Sequence, residues 1–152
     1  MYLPVVDPQT IPASWRSTPL QLTTADEVTI YRGFSREAYQ RMRRRMVVRP
    51  EEDMGGGIFS RRLDAAHDAI FNRVGRVPTL TGDDAGGVVA VHLRREAWNL
   101  LVRHNGISER SYPGFAHCLN STEIRVNSSE AGELINNGRM SLLPPDPQYD
   151  FR

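Results

Sequence analysis

The sequence contains no lysine, because all nineteen of its basic residues are arginine. Eighteen acidic residues balance them to a formal net charge of +1, so the chain as a whole presents no strong field to nucleic acid. Positive charge is concentrated only at residues 41–49, which hold five of the arginines. Such a stretch is typical of the solvated face of an amphipathic helix, and alternatively of a contact site for an acidic partner protein or a nucleic acid backbone.

Cysteine and metal-binding patterns are equally scarce. Cys118 is the only cysteine, which excludes an internal disulfide and a zinc site built from several cysteines. We interpret it as a small buried apolar residue. The four histidines are scattered, and no two of them have the His-x-x-x-His spacing of a helical metal site. We therefore expect no bound metal.

Long apolar segments are also missing. No apolar run approaches the roughly 20 residues that a membrane-spanning helix needs. Residues 1–7 lack a basic segment followed by an apolar core, so we expect neither a cleavable signal peptide nor a membrane contact. With 152 residues and 39% hydrophobic content, we expect a monomer with one domain over residues 1–152. Within it, residues 1–25 form a proline-rich lead-in and residues 144–152 an irregular tail.

Hydrophobic spacing predicts strands alternating with helices. The predicted strands cover residues 27–33, 58–60, 88–91 and 122–126, with a last one through Met140 and Leu143. The predicted helices are one capped by Ser35, one over residues 61–74, one over residues 94–104 closing at Asn105-Gly106, and one over residues 130–135 capped by Ser128 or Ser129. Residues 51–57, 79–87 and 108–113 are predicted loops. The apolar run at residues 88–91 indicates a central strand buried on both faces.

Three short motifs follow one another along these elements. Residues 31–33 (Tyr-Arg-Gly) end the first strand, residues 58–60 (Ile-Phe-Ser) follow a glycine run, and residues 122–126 (Thr-Glu-Ile-Arg-Val) form a late strand. An arginine can clamp a diphosphate with its planar fork of donors. A small hydroxyl can orient a carboxylate, and a carboxylate can stabilise the oxocarbenium-like ribose that forms when a glycosidic bond breaks.

In this order the motifs resemble those of the ADP-ribosyltransferase superfamily, in the branch built around arginine, serine and glutamate. The resemblance covers about residues 27–143 and implies an α+β fold, with a compact, split, mixed but mostly antiparallel sheet flanked by helices. It implies that NAD is the substrate and that no metal takes part. By the same resemblance, Arg32, Ser60 and Glu123 are the candidate catalytic residues. Arg32 would hold the diphosphate, Ser60 would hydrogen-bond Glu123, and Glu123 would grip the 2′-hydroxyl of the nicotinamide ribose.

The candidate NAD-binding residues are Arg32, Gly33, Phe59, Ser60 and Tyr112, of which Phe59 or Tyr112 could stack on nicotinamide. Two positions depart from the family pattern. Ser60 is followed by two arginines where the family has Thr-Ser, and Ser121 stands where arginine-modifying members carry a second glutamate. The acceptor is therefore left open between another protein side chain and a nucleic acid, and NAD hydrolysis is an alternative to transfer.

The resemblance implies a bacterial toxin or effector that transfers ADP-ribose to a macromolecular acceptor. An immunity protein or antitoxin is the expected partner, and secretion or delivery without a signal peptide into a target cell's cytoplasm is the expected route. The absence of lysine is consistent with that route, because a protein in a eukaryotic cytosol without lysine offers no ubiquitin acceptor. A genome rich in G and C is nevertheless the simpler explanation of the arginine bias.

Each motif also has a purely structural interpretation. Arg32 could pair with Glu27 or Asp26 at the surface, and Ser60 could cap the following helix. Glu123 could protect an exposed sheet edge against aggregation. The chain would then be a catalytically inactive module that docks a partner through its arginine-rich helix. A ribonuclease-like toxin that uses His92 or His117 as acid and base is a third hypothesis.

Overall fold

The computed structural model describes residues 27–45, 58–71, 85–111 and 122–149, which form six strands and four α-helices. The strands are β1 (Glu27–Ser35), β2 (Ile58–Phe59), β3 (Ala85–Arg94), β4 (Ile107–Ser111), β5 (Thr122–Val126) and β6 (Arg139–Leu143). The helices are α1 (Arg36–Arg45), α2 (Leu63–Phe71), α3 (Arg95–Arg103) and α4 (Ser129–Asn136), and a 3₁₀ turn follows at Pro147–Tyr149. The predicted lead-in at residues 1–25, the predicted loop at residues 51–57 and Cys118 lie outside the described residues.

The strands form two three-stranded sheets. The larger sheet has the order β1-β3-β6 and the smaller one the order β2-β5-β4. Every strand pair within the described ranges is antiparallel, so the parallel component of the expected mixed sheet is not seen there. The predicted α+β class, with helices and antiparallel sheets, is confirmed.

The two sheets meet at one backbone pair between β1 and the residue that follows β2. The Tyr31 amide donates to the Ser60 carbonyl at 2.7 Å, and the Ser60 amide donates back to the Tyr31 carbonyl at 2.8 Å. This pair is an isolated antiparallel bridge, and neither neighbouring residue of β1 continues it as a ladder within the described ranges. The strands therefore run in the order β4-β5-β2-β1-β3-β6 across a seam at Tyr31 and Ser60.

The core occupies both faces of the larger sheet. The main cluster joins one face of the strands to α1, α3 and α4, and it includes Val28, Ile30, Tyr39, Met42, Val89, Val91, Leu101, Ile124 and Leu134. A smaller cluster under α2 includes Ala66, Ile70, Phe71 and Val88. Residues 88–91 of β3 are buried throughout, and β3 lies between β1 and β6. The predicted central strand is confirmed.

The helix boundaries follow the predicted capping signals. The Ser35 hydroxyl accepts a hydrogen bond from the Ala38 amide at 3.4 Å, and the Ser128 hydroxyl accepts one from the Ala131 amide at 3.1 Å. Helix α3 ends where Asn105 adopts a φ of 53°, and the Gly106 amide then donates to the Leu101 carbonyl at 2.8 Å. These hydrogen bonds satisfy backbone groups that a helix end leaves without partners.

Three predicted boundaries were wrong. Strand β1 continues past Gly33 to Ser35, so Arg32 lies inside the strand and not at its end. Strand β3 begins at Ala85 and not after the predicted loop, because its glycines lie against Ser35 and Tyr39 too closely for a side chain. The prediction of a loop at residues 108–113 was wrong, because residues 108–111 belong to strand β4 (Ile107–Ser111). Its backbone pairs along the whole length of β5, although four of its five side chains are exposed and polar.

Candidate functional site

The three candidate catalytic residues lie on neighbouring strands. Arg32 is in β1, Ser60 directly follows β2, and Glu123 is in β5, the strand that pairs with β2. Because Tyr31 and Ser60 form the seam, Arg32 and Ser60 lie within one residue of the point where the sheets meet. The strand order thus brings the arginine, serine and glutamate motifs to one region of the molecule.

Glu123 is a deeply buried acidic residue, with 2% of its surface exposed. Its Oε1 accepts a hydrogen bond from the Nε of Arg110, which stands opposite it on β4. The Nε of Arg125, two residues further along β5, lies 3.6 Å from the same oxygen. The side chains of Arg110 and Arg125 are 55% and 51% exposed. A carboxylate that would be costly to bury alone is therefore stabilised by two guanidinium groups at the surface.

The alternation of β5 puts Glu123 and Arg125 on one face and Ile124 on the other, as the sequence predicts. Ile124 is fully buried in the main core. The burial of Glu123 itself was not predicted, since the sequence indicates only that it faces away from the apolar side. Its principal partner, Arg110, lies in the segment that was predicted as a loop, so the ion pair had no signal in the sequence.

Ser60 contacts the backbone of β5 and not the Glu123 carboxylate. Its hydroxyl donates to the carbonyl of Thr122, the residue before Glu123, at 3.0 Å. It also accepts a hydrogen bond from the Arg62 amide at 3.1 Å, which fixes the turn into α2. A serine hydroxyl has one proton to donate, so the expected hydrogen bond from Ser60 to Glu123 was wrong for this conformation. The Ser60 hydroxyl therefore accepts from the backbone at the start of α2 and donates to the backbone of β5.

Arg32 projects to the opposite face from Ser60. Since Tyr31 and Ser60 are directly paired, the next residue of β1 points the other way. The Arg32 guanidinium lies 5.0 Å from the ring centroid of Phe34 and 5.9 Å from that of Phe59. Burial lowers the pKa of Arg32 below its usual value. Glu27, one of the surface partners considered for Arg32, instead accepts two hydrogen bonds from Arg139 at 3.1 and 3.2 Å.

The remaining candidate NAD-binding residues have different environments. Gly33 lies under α2, where an added Cβ would be 2.5 Å from Cγ2 of Ile70 and 2.8 Å from the Ala66 carbonyl. Phe59 is buried in the main core, on the same side as Arg32. Tyr112 lies outside the described residues. The structure therefore explains Gly33 and Phe59 by packing, whether or not they also meet a ligand.

No protein-family model, curated protein or solved structure matches this chain. Within the four described ranges, no group of three or more histidine, cysteine or acidic side chains is arranged to hold a metal ion. The helices found there are too short or too polar to cross a bilayer.

A second polar cluster lies on the larger sheet, around His92. His92 of β3 bridges its two neighbouring strands, with Nδ1 3.0 Å from the Thr29 hydroxyl and Nε2 3.0 Å from the Ser141 hydroxyl. Its pKa is lowered, first by burial and then by the positive charge of Arg139, while Glu27 acts in the opposite direction. The ribonuclease hypothesis needs His92 beside a second acid or base, and the two ring contacts here are both hydroxyls. His117 lies outside the described residues.

His67 is also fully engaged in structure. Its Nε2 accepts a hydrogen bond from the Asp146 amide at 3.1 Å, so Nδ1 carries the proton and donates to the Leu63 carbonyl at 3.1 Å. This neutral imidazole ties the segment after β6 to α2. Sequence spacing gave no indication of this contact, because it joins residues 79 positions apart.

Proposed function

We propose that this chain is an NAD-dependent ADP-ribosyltransferase of the arginine, serine and glutamate type, acting as a toxin or effector. The observation that carries the proposal is the buried Glu123 carboxylate beside the Ser60 segment at the seam, with Arg32 one residue beyond that seam on β1. Glutamate is disfavoured in strands, and its burial between two surface arginines is a costly arrangement that a catalytic role would justify.

In the proposed reaction, NAD lies along the seam between the two sheets. A dinucleotide is extended, so its diphosphate and its nicotinamide ribose need not meet the same face of the sheet. Arg32 would meet the diphosphate, and the Glu123 carboxylate would accept a hydrogen bond from the ribose 2′-hydroxyl as positive charge develops on the ring. Ser60 would act as a positioning residue, because it fixes the backbone of β5 directly before Glu123.

Nicotinamide leaves NAD without help from a general acid, since it departs as a neutral molecule. The enzyme's contribution would therefore be positioning and electrostatic stabilisation. In this account Arg110 has to share Glu123 Oε1 with the ribose hydroxyl or to turn outward, which its exposed position allows. The ion pair thus holds the carboxylate in place until substrate binds.

A second candidate function is a partner-binding module without catalysis. It is favoured because Oε1 of Glu123 already forms ion pairs with both Arg110 and Arg125. In that case the three charges form a structural cluster that ties β4 to β5. The two candidates differ in one measurable respect, because only the transferase consumes NAD.

Nicotinamide release from NAD by the purified protein and by Glu123→Gln tests the proposal. Gln keeps the volume and one hydrogen-bonding oxygen, and we expect release to fall by about 100-fold or more. Glu109→Gln is the matched control, since Glu109 is an acidic residue of the adjacent strand on the other face. Release with no added lysate indicates hydrolysis, and release that needs lysate indicates transfer to an acceptor. Undiminished release by a folded Glu123→Gln protein would refute the catalytic assignment, and no release by the unaltered protein would favour the partner-binding module.

A further inference from the structure

One face of the smaller sheet is open, and arginine dominates it. Residues that are directly opposite each other on paired strands lie on the same face: Arg125 is opposite both Ile58 and Ser108, and Glu123 is opposite Arg110. The residues on this face are therefore Ile58 on β2, Glu123 and Arg125 on β5, and Ser108 and Arg110 on β4. Except for Glu123, all of them are exposed. We call these residues the arginine face. The opposite face of the same sheet is covered, since Phe59 and Ile124 belong to the main core.

The charge that this face presents outward is positive. Two guanidinium groups share one carboxylate, which leaves an excess of one positive charge. The negative charge is buried, whereas about half of each arginine side chain is exposed to solvent. Both arginines approach Oε1 through Nε, and each guanidinium also carries two terminal Nη groups. Those groups carry most of the five N–H donors of a guanidinium, in a planar fork that suits a phosphate.

We infer that the arginine face docks the phosphate backbone of a nucleic acid, and that a nucleic acid is the acceptor of the proposed transferase. This inference rests on the proposed function for its chemistry, although docking itself requires no NAD. Phosphate is favoured over an acidic protein as the ligand. A carboxylate from such a protein would form the same kind of ion pair that Glu123 already forms with both arginines. A nucleic acid adds the release of its condensed counterions. Exposed Ile58, at 45%, gives the same face an apolar contact for a base or sugar.

The location fits an acceptor site. Glu123, the residue proposed to act on the nicotinamide ribose, is itself part of this face and contacts both arginines. In the transfer step the bond between the ribose carbon and the nicotinamide nitrogen breaks, and its electron pair leaves on nicotinamide. A nucleophilic nitrogen or oxygen of the nucleic acid forms the new bond to that carbon and loses its proton to solvent. The products are neutral nicotinamide, the modified nucleic acid and one proton.

Fluorescence anisotropy with short fluorescein-labelled oligodeoxynucleotides, single-stranded and duplex, tests the docking step at several salt concentrations. Arg125→Gln should weaken binding about tenfold and lower the slope of log affinity against log salt by about 1. Arg103→Gln is the matched control, because Arg103 is an exposed arginine at the end of α3 and its loss changes the net charge equally. It should leave the affinity unchanged. Melting curves of both variants show whether each is folded.

Glu123→Gln separates this inference from the proposed function. It removes the negative charge between the arginines, so it should bind the oligonucleotide at least as tightly as the unaltered protein while losing nicotinamide release. Binding that depends on Arg125, in a protein that does not cleave NAD, would support the docking surface and refute the transferase. Equal losses in Arg103→Gln and Arg125→Gln would overturn the inference, and so would binding to poly-glutamate without binding to either oligonucleotide. Loss of binding in Arg43→Gln alone would move the site to α1 and overturn it as well.

Discussion

Gly33→Ala should destabilise the protein because α2 packs directly on β1 at this position. The new Cβ would lie 2.5 Å from Cγ2 of Ile70 and 2.8 Å from the carbonyl oxygen of Ala66. The Ile70 side chain is buried, and the Ala66 carbonyl is helix backbone, so neither can move without shifting α2. Adding a methyl group to a well-packed core costs about 1–3 kcal/mol.

Part of this cost is offset, since replacing glycine restricts the unfolded chain by about 0.4–1 kcal/mol. We therefore expect a net loss of about 1–2 kcal/mol in the free energy of unfolding. For a chain of this size that corresponds to a fall of about 2–8 °C in the melting temperature. Thermal melting followed by circular dichroism, with urea unfolding to confirm the free energy, measures it.

Gly132→Ala is the matched control, because it makes the same change inside α4. Its added Cβ would meet only Cγ1 of Val126, at an ordinary contact distance of 3.8 Å. Alanine is favoured over glycine in a helix by about 1 kcal/mol, so this variant should melt at a higher temperature. If Gly33→Ala melted like the unaltered protein and nevertheless lost nicotinamide release, the packing argument would fail. Gly33 would then be required for close approach of a ligand.

Two further predictions concern stability. Ser128→Ala should lower the free energy of unfolding by about 1 kcal/mol, because the hydroxyl that accepts from the Ala131 amide is lost. Ser129→Ala should leave the free energy of unfolding nearly unchanged, since the Ser129 hydroxyl contacts the adjacent Glu130 side chain. Equal losses for the two variants in urea unfolding would refute the capping role of Ser128. Because the pKa of His92 is lowered in the folded protein, the unfolded chain binds more protons between that value and about 6.5, so stability should rise with pH through this window and be complete above it. His92→Asn should flatten that rise in urea unfolding at several pH values, and an unchanged pH dependence would assign it to another group.

The parts of the fold that follow from sequence are those in which local pattern and tertiary packing agree. The apolar run at residues 88–91 has few alternatives to a buried strand. The cap at Ser128 and the close of α3 at Asn105 depend on side chains within a few residues of the backbone groups they serve. In these places each local preference supports the same structure.

The wrong boundaries arise where long-range pairing decides the structure. The polar sequence of β4 has no hydrophobic alternation, and it becomes a strand because β5 supplies hydrogen-bonding partners along its length. Strand β1 extends past Gly33 because β3 continues opposite it to Ala85. Contacts between residues distant in sequence were also missed at the candidate site. The motifs located Arg32, Ser60 and Glu123 on predicted strands, but the partner of Glu123 is on β4, 13 residues away in sequence.

The seam between the sheets explains why a site would form here and not elsewhere on the molecule. In the described part of the chain a single backbone pair, Tyr31 with Ser60, connects the two sheets. Residues next to this pair therefore have fewer interstrand hydrogen bonds beside them than residues inside either sheet. Alternation around that pair sends Arg32 towards Phe59, and sends Glu123 towards the arginine face. A ligand that contacts both Arg32 and Glu123 would have to reach both faces of the sheet at the seam. In the proposed function an extended dinucleotide meets this requirement, because its diphosphate and its nicotinamide ribose need not contact the same face.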